Sequence, residues 1–155
     1  MPSLPEEIAK RITEHFPGSK VEIPETNRIC VVVLPSSLLQ LSNYLRDSES
    51  FDHVTSVTGI DYPKDDSVTV TYHLGAYANQ TIRPVILSMS VDLPGHEATI
   101  PSLTGIWPSA EYHERETHEM LGVVFRGHPN MNLLLLPEDW NDPPPLRKVF
   151  KLRGR

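Results

Sequence analysis

Two segments of alternating hydrophobicity constrain the fold of this chain more than any other feature of its sequence. Every second position is apolar in both of them, as Val68, Val70, Tyr72 and Leu74, and then as Val85, Leu87, Met89 and Val91. A period of two is typical of a strand that is buried on one face. We therefore predict strands over residues 68–74 and 82–91, joined as a hairpin by the loop 75–80. Pro84 falls near the start of the second strand, where a missing N–H is tolerated.

Helical and further strand patterns surround this hairpin. Apolar residues four apart follow a capping box of Ser3 and Glu6 and predict a first helix, with the stripe Leu4, Ile8, Ile12 and Phe16. Ser37 and Gln40 predict a second capping box before a helix that runs to about residue 47. The remaining predicted elements are strands over residues 20–23, 28–34 and 51–60 and a helix over 109–121. This order predicts an α+β domain with helices packed on one face of a mostly antiparallel sheet.

The character of the chain changes near its end. Prolines recur there as Pro129, Pro137 and the run 143–145, in a segment of about thirty residues with no period of its own. Such a segment is uncommon inside a compact domain unless something else receives it. Prolines also favour an extended chain that is suited to lie along a partner. We therefore divide the chain into an α+β domain, residues 1–124, and an extended, proline-rich, partner-binding tail, residues 125–155.

The single cysteine limits the redox chemistry of this chain. Cys30 excludes an internal disulfide and a CxxC pair, and its apolar neighbours predict a small core side chain. The longest apolar run is far shorter than the roughly 20 residues that a bilayer span requires. The first residues also lack the pattern of a signal segment. We expect a cytoplasmic protein that is soluble or that meets a membrane only through partners.

The formal net charge of −6 is unevenly distributed. Residues 1–146 hold 9 Lys and Arg against 20 Asp and Glu, a balance of −11, whereas residues 147–155 hold 5 basic and no acidic residues. The acidic body argues against a nucleic-acid partner, which requires a basic face. The basic end could sit on an acidic partner or near anionic lipid, or it could be a solvated terminus.

The densest polar cluster, residues 113–119, has the residue types of a metal or hydrolase site but not the spacing. His113 and His118 are five residues apart, which turns them roughly 140° from each other on a helix. Glu114 and His118 could share a metal, but no third ligand is evident. Glu111 and Glu114 could share a helix face without the cleft that a paired-carboxylate hydrolase needs. The pattern favours an interface over a catalytic site, with Arg115 supplying a planar five-donor group.

Residues 107–148 carry a resemblance to a known family. The matching elements are Trp107-Pro108, Glu114-Arg115-Glu116, Glu119, Gly122, Phe125, Gly127-His128-Pro129, Leu134–Trp140 and Leu146-Arg147-Lys148. In this order and spacing they resemble the 30 kDa subunit of respiratory complex I, which is the C subunit of the bacterial NADH:quinone oxidoreductase. Related subunits occur in membrane-bound hydrogenases and deazaflavin-dependent dehydrogenases. Glu119 stands where the respiratory members usually carry an aspartate.

The resemblance implies a structural subunit with no cofactor and no catalytic residue of its own. Such a subunit lies on the cytoplasmic side of the membrane, in the peripheral arm of a complex that passes electrons to quinone and translocates ions. Its partners are the large quinone-site (49 kDa-type) subunit and neighbouring iron–sulfur subunits. The residues carried over to that interface are Glu114, Arg115, Glu116, Gly122, Phe125, Gly127, His128, Pro129, Pro137, Arg147 and Lys148.

Other interpretations of the sequence remain open. The chain could be the equivalent subunit of a membrane-bound hydrogenase or of a deazaflavin-dependent dehydrogenase. It could also be an independent metal hydrolase that uses Glu114, His118 and His128, or a free-standing adaptor whose acidic body binds a basic protein. As a lone histidine in a loop, His128 is more typical of a structural hydrogen bond than of a metal ligand.

Overall fold

The fold is built on a five-stranded sheet, and a computed structural model describes residues 1–153 of the chain. The helices are α1 (Leu4–His15), α2 (Leu38–Asp47) and α3 (Glu111–Leu121). The strands are β1 (Lys20–Glu25), β2 (Arg28–Val32), β3 (His53–Tyr62), β4 (Ser67–Gly75), β5 (Ile86–Pro94), β6 (Thr99–Pro101) and β7 (Val124–Arg126). The predicted α+β class, with a mostly antiparallel sheet and an extended tail, is confirmed.

The sheet has the strand order β1-β2-β5-β4-β3. All neighbours are antiparallel except β2 and β5, which run parallel. The alternating residues of β4 and β5 are buried on one face, and the helices pack there. For example, Ser42 of α2 donates to Met89 Sδ of β5, and Tyr72 of β4 donates to Glu114 of α3. The core therefore lies between this face and the three helices.

The first two predicted helices are confirmed, but the capping box predicted for the second is absent. The Ser3 backbone N–H donates to Glu6 Oε2 at 2.6 Å, as a capping box requires. Ser37 instead belongs to the 3₁₀ turn Pro35–Ser37 and its side chain makes no capping hydrogen bond. The proline two residues earlier starts this turn, and the turn leads directly into α2.

The strand β5 begins four residues later than predicted. Residues 82–85 form turns instead, with Arg83 N donating to Asn79 O and Val85 N donating to Ile82 O. Pro84, which has no N–H, lies outside the ladder, so pairing starts at Ile86.

Two short strands were missed altogether. They are β6 and β7, which pair in parallel as a separate two-stranded sheet.

Cys30 is not a core residue, contrary to the prediction. Its neighbours Ile29 and Val31 are buried at 0% and 1% exposure, so alternation along β2 places Cys30 on the opposite face. There it is half-buried, and its Sγ lies 3.2 Å from Ser88 Oγ. An apolar run of this length does not reveal which face each residue takes, and only the pairing of β2 with β5 decides it.

Candidate partner interface

The helix α3 is fixed to the sheet at its N-terminal end. Trp107 is fully buried, and its Nε1 donates to Phe51 O at 2.8 Å. Ser109 Oγ accepts a hydrogen bond from Val54 N at 2.8 Å, at the start of β3. These two contacts tie the segment before α3 to the sheet, so they set the position of the helix that carries the Glu114–Glu116 motif.

Glu114 is fully buried and holds three parts of the chain together. Its carboxylate accepts hydrogen bonds from Tyr72 Oη at 2.8 Å, Ser102 Oγ at 2.6 Å and Leu103 N at 2.7 Å. Burial raises the pKa of Glu114 above its ordinary value, although these hydrogen bonds act in the opposite direction. Because no surface of this side chain reaches solvent, it can serve a partner only by positioning α3.

Arg115 and Glu119 are one helical turn apart and bind the same stretch of the tail. Arg115 donates through Nε to Asn132 O and through Nη2 to Leu133 O, the latter at 2.8 Å. Glu119 is 4% exposed and accepts hydrogen bonds from three consecutive backbone N–H groups, those of residues 134–136. Successive N–H groups that converge on one anion form a concave binding site of known type. We call this arrangement the α3 clamp, residues 115, 119 and 132–136.

Glu116 lies on the exposed side of α3, next to a shallow groove. The groove has a volume of about 250 Å³ and its lining includes Gly59, Glu116, Met120 and Leu146. It lies where α3, β3 and the returning tail meet. An exposed carboxylate beside an apolar groove is available to a partner, in contrast to the two buried carboxylates of the same helix.

The helix α3 ends at Gly122, as predicted. Gly122 has φ 73° and donates its N–H to His118 O at 2.7 Å, which is the left-handed conformation typical of a glycine after a helix. A Cβ atom at this position would also lie 3.1 Å from Pro144 Cγ. The absence of a side chain therefore serves both the helix end and the passage of the tail.

Replacing Gly122 by alanine should destabilise the chain by about 1–2 kcal/mol, since a β-carbon is disfavoured at positive φ. The shift in the urea unfolding midpoint measures this cost. Gly18→Ala is the matched control because Gly18 has no atom within 4 Å of the added carbon and no positive φ. Equal unfolding midpoints for the two variants would show that the left-handed conformation at Gly122 does not require a glycine.

The segment after α3 begins inside the body of the protein. Phe125 lies in β7 and is 2% exposed, so the strand β7 spans the expected boundary between residues 124 and 125. His128 Nε2 donates to Glu111 O at 2.9 Å, and its Nδ1 accepts from Asn130 N at 3.0 Å. Gly127, with φ 82°, and Pro129 are exposed at this turn. Both ring nitrogens of His128 thus have structural partners.

The tail returns to its own domain at the end of α3. Leu146 N donates to Met120 O at 2.9 Å, and Arg147 Nε donates to Leu121 O. Asp61 of β3, whose side chain is 7% exposed, lies 3.4 Å from Arg147 Nη1 and accepts from Lys148 N at 2.8 Å. A cation at a helix C-terminus also interacts favourably with the helix dipole. Pro137 is exposed within the intervening segment, where Trp140 N donates to its carbonyl.

The structure brings some of the predicted interface residues together and separates others. Glu114 and Phe125 are internal. Four other predicted residues take part in the contacts between the tail and the end of α3: Arg115, Gly122, Arg147 and Lys148. Sequence reasoning missed Asp61, which anchors residues 86 and 87 positions further along the chain. No local signal identifies such a residue, because Asp61 looks like an ordinary polar position at the end of a strand.

The side chains proposed for a metal site already have other partners. His118 Nδ1 is bound to Val123 O at 2.7 Å, and Glu114 is enclosed by its three donors. Among residues 1–153, no three His, Cys, Asp or Glu side chains are grouped so that they could hold a metal ion. Within the same residues, no helix combines the length and apolar character that crossing a membrane demands.

A larger cavity, of about 500 Å³, lies away from the motif residues. Its walls include His53, Tyr77 and Arg83, and the His53 ring stacks on Tyr77 with 3.5 Å between the ring centroids. His53 Nδ1 is paired with Asp52 at 2.8 Å. None of these residues lies within residues 107–148, which carry the specific resemblance, so the cavity is not assigned to the interface.

Comparison with known proteins relates most of the chain to subunits of respiratory complexes. The family model for "Respiratory-chain NADH dehydrogenase, 30 Kd subunit" matches residues 31–155. The C subunit of NADH-quinone oxidoreductase from Roseiflexus sp. is 39% identical over 127 residues, which make up 80% of this chain and 70% of that protein. The C subunit of F(420)H(2) dehydrogenase from Methanosarcina mazei is 34% identical over 146 residues, or 93% of this chain and 90% of that protein.

The fold also has a solved counterpart. A chain of the membrane-bound sulfane sulfur reductase, an archaeal respiratory membrane complex, superimposes with a TM-score of 0.80 at 25% identity. The match covers 96% of this chain and 86% of that one. The agreement therefore extends beyond the five-stranded sheet into the tail.

Proposed function

The chain belongs to the 30 kDa subunit family of respiratory-chain NADH dehydrogenases and is a subunit of a respiratory complex of that kind, and on this premise we propose that it packs against the large quinone-site subunit of such a complex. In this role it carries no cofactor. It stabilises the peripheral arm on the cytoplasmic side of the membrane, where electrons pass through iron–sulfur subunits to quinone and drive ion translocation. It meets the membrane only through its partners.

The single observation that carries this proposal is the clamped tail. Residues 127–153 contain no helix or strand, yet the α3 clamp, Asp61 and Arg147 hold parts of this segment at fixed positions. Several aliphatic residues nevertheless remain exposed along it, including Leu135 at 62% and Val149 at 70%. A segment that is held in place and still shows apolar side chains has the properties of a preorganised protein interface.

A related assembly is the second candidate. The Methanosarcina mazei relative, which is a subunit of an F(420)H(2) dehydrogenase, is 34% identical over 93% of this chain. This relative supports the equivalent subunit of a deazaflavin-dependent dehydrogenase, and a membrane-bound hydrogenase remains the alternative of the same kind. The architecture of the interface would be the same, and only the electron donor would differ.

Both candidates are tested by tagging the chain and purifying it from gently solubilised membranes. We expect a large quinone-site subunit, iron–sulfur subunits and membrane subunits to co-purify, and mass spectrometry of the donor-binding subunits separates the two candidates. Recovery of the chain alone, from the soluble fraction, would contradict the proposal.

The clamp also predicts a separation between folding and assembly. Arg115→Ala removes two charge-assisted hydrogen bonds to the tail but none to the core, so the melting temperature of the isolated chain should change by only a few degrees. Incorporation into the complex, measured by quantitative mass spectrometry of the purified membranes, should fall several-fold. Arg28→Ala, at an exposed arginine of β2, is the control. Normal incorporation of the Arg115 variant would contradict an interface role.

A further inference from the structure

The last described residues have a period of three that their sequence alone did not reveal. In residues 146–153, which we call the strap, Arg147 N donates to Pro144 O and Phe150 N donates to Arg147 O, both at 3.0 Å. These two turns cover residues 144–150 and bring side chains three apart to similar sides of the chain there. Beyond Phe150 the contacts and exposure of each side chain, and not a turn, define its row.

The first row faces the protein itself. Arg147 binds Leu121 O and Asp61, and the Phe150 ring lies 5.8 Å from the Trp140 ring. Arg153 Nη2 donates to Asp142 Oδ1 at 2.9 Å. Arg147 and Phe150 therefore fix the orientation of the first part of the strap, whereas the Arg153 side chain is 84% exposed although it pairs with Asp142.

The second row is aliphatic and exposed. Leu146, Val149 and Leu152 have 57%, 70% and 59% of their surface accessible. Isolated apolar residues on a surface need no explanation, but three in register on an anchored segment form a continuous apolar edge of the kind that marks an interaction site. The third row consists of Lys148 and Lys151, and neither ammonium group pairs with a carboxylate among residues 1–153.

We propose that the strap docks onto the large subunit by inserting Leu146, Val149 and Leu152 into an apolar groove whose rim carries Asp or Glu side chains opposite Lys148 and Lys151. This inference rests on the proposed function and specifies the chemistry of the partner surface. It resembles other recognition modes in which an ordered, extended segment offers apolar anchors at a fixed spacing. Because the strap is already ordered, docking loses little conformational entropy.

A protein partner fits these observations better than an anionic membrane does. Residues 1–146 carry a balance of −11, because they hold 9 basic and 20 acidic residues, and a negative lipid surface would repel them. With Arg147 and Arg153 paired to Asp61 and Asp142, the two lysines fall short of the clusters of about four to eight basic residues that bind anionic lipid. An acidic groove meets the strap alone, whereas a membrane must approach the acidic body as well.

The direct test is site-specific photo-crosslinking in the intact complex. The variant Val149→p-benzoylphenylalanine places the reactive group on the aliphatic row, and Phe150→p-benzoylphenylalanine places it on the inward row one residue away. We expect position 149 to crosslink to an apolar peptide of the large subunit with Asp or Glu nearby, and position 150 to crosslink within its own chain. Crosslinks from position 149 to lipid, to its own chain or to another subunit would overturn the inference. The proposed function fails separately, if the chain does not co-purify with the complex.

Charge reversal tests the lysine row. The double variant Lys148→Glu/Lys151→Glu should lower the fraction of chain retained in the complex about tenfold, and Lys10→Glu/Lys20→Glu, with the same net charge, should leave it unchanged. Equal retention of the two variants would overturn the role of the lysines. The choice of a protein partner would be overturned by a different result: the full chain sediments with anionic phospholipid vesicles, and the Lys148→Glu/Lys151→Glu variant does not.

Discussion

Replacing Glu114 by alanine is expected to destabilise the chain by about 3–5 kcal/mol, as measured by urea denaturation. The substitution leaves Tyr72 Oη and Leu103 N buried without an acceptor and opens a cavity between β4 and α3. Ser102 retains a partner, because its hydroxyl also lies 2.8 Å from Thr104 Oγ1. The two orphaned groups account for most of the effect, since an unpaired buried donor has the full desolvation cost.

Glu114→Gln is the informative control for this experiment. A glutamine can still accept from Tyr72 and Leu103 through its carbonyl, and its amide can donate to Ser102 Oγ. We therefore expect a loss below about 1 kcal/mol. If glutamine were as harmful as alanine, the negative charge of Glu114 and not its hydrogen bonding would be the essential property.

The same pair of variants tests a pH dependence. The pKa of Glu114 is raised in the folded chain, chiefly by burial, so the folded chain binds this proton more readily than the unfolded chain does. The contribution of this group to the free energy of unfolding is consequently greatest below its ordinary pKa and falls as pH rises through the raised folded pKa. Glu114→Gln should remove that decline, and an unchanged pH profile in the variant would contradict the assignment.

The second large effect is expected from Glu119→Ala. This change removes the acceptor of three backbone N–H groups at residues 134–136, and hydrogen bonds to a charged group are stronger than neutral ones. Local opening of the segment should become easier by about 3 kcal/mol, equivalent to roughly a hundredfold faster amide hydrogen exchange. The amides of the sheet core should exchange at their original rates.

Glu116→Ala is the matched control because Glu116 lies on the same helix and is exposed. It should leave the exchange of residues 134–136 unchanged. If these amides still exchanged slowly in the Glu119 variant, the order of the tail in the isolated chain would not depend on the Glu119 carboxylate. The chain would then incorporate normally into the complex, whereas we expect incorporation to fall several-fold.

The sequence predicted the sheet and its helices because their signals are local. The alternation around Tyr72 and the stripe from Leu4 to Ile12 each report burial within a few residues. The conformation of Gly122 was equally predictable, since a left-handed residue after a helix favours glycine. Resemblance to the family added the motif residues, which no periodicity would have distinguished.

What the sequence could not predict depends on contacts between distant residues. The pairing of β2 with β5 decides that Cys30 leaves the core, and the anchor at Asp61 joins residues that are 86 positions apart. Glu119 stands where the family usually has an aspartate, and the sequence did not show that its longer side chain accepts three backbone donors. The spacing of three in the strap depends on turns that cannot be predicted from the proline-rich sequence.

The parallel pairing of β2 with β5 also has a consequence for how the chain is made. The strands β3, β4 and β5 can form their antiparallel pairs with neighbours in the sequence, but β2 must wait until β5 has been synthesised. At the usual rate of translation the roughly 50 intervening residues take about 3–10 s. During that interval β2 can pair only with β1, and Ile29 and Val31 lack their partners on β5, so the N-terminal third of the nascent chain is the part that ribosome-associated chaperones should contact longest.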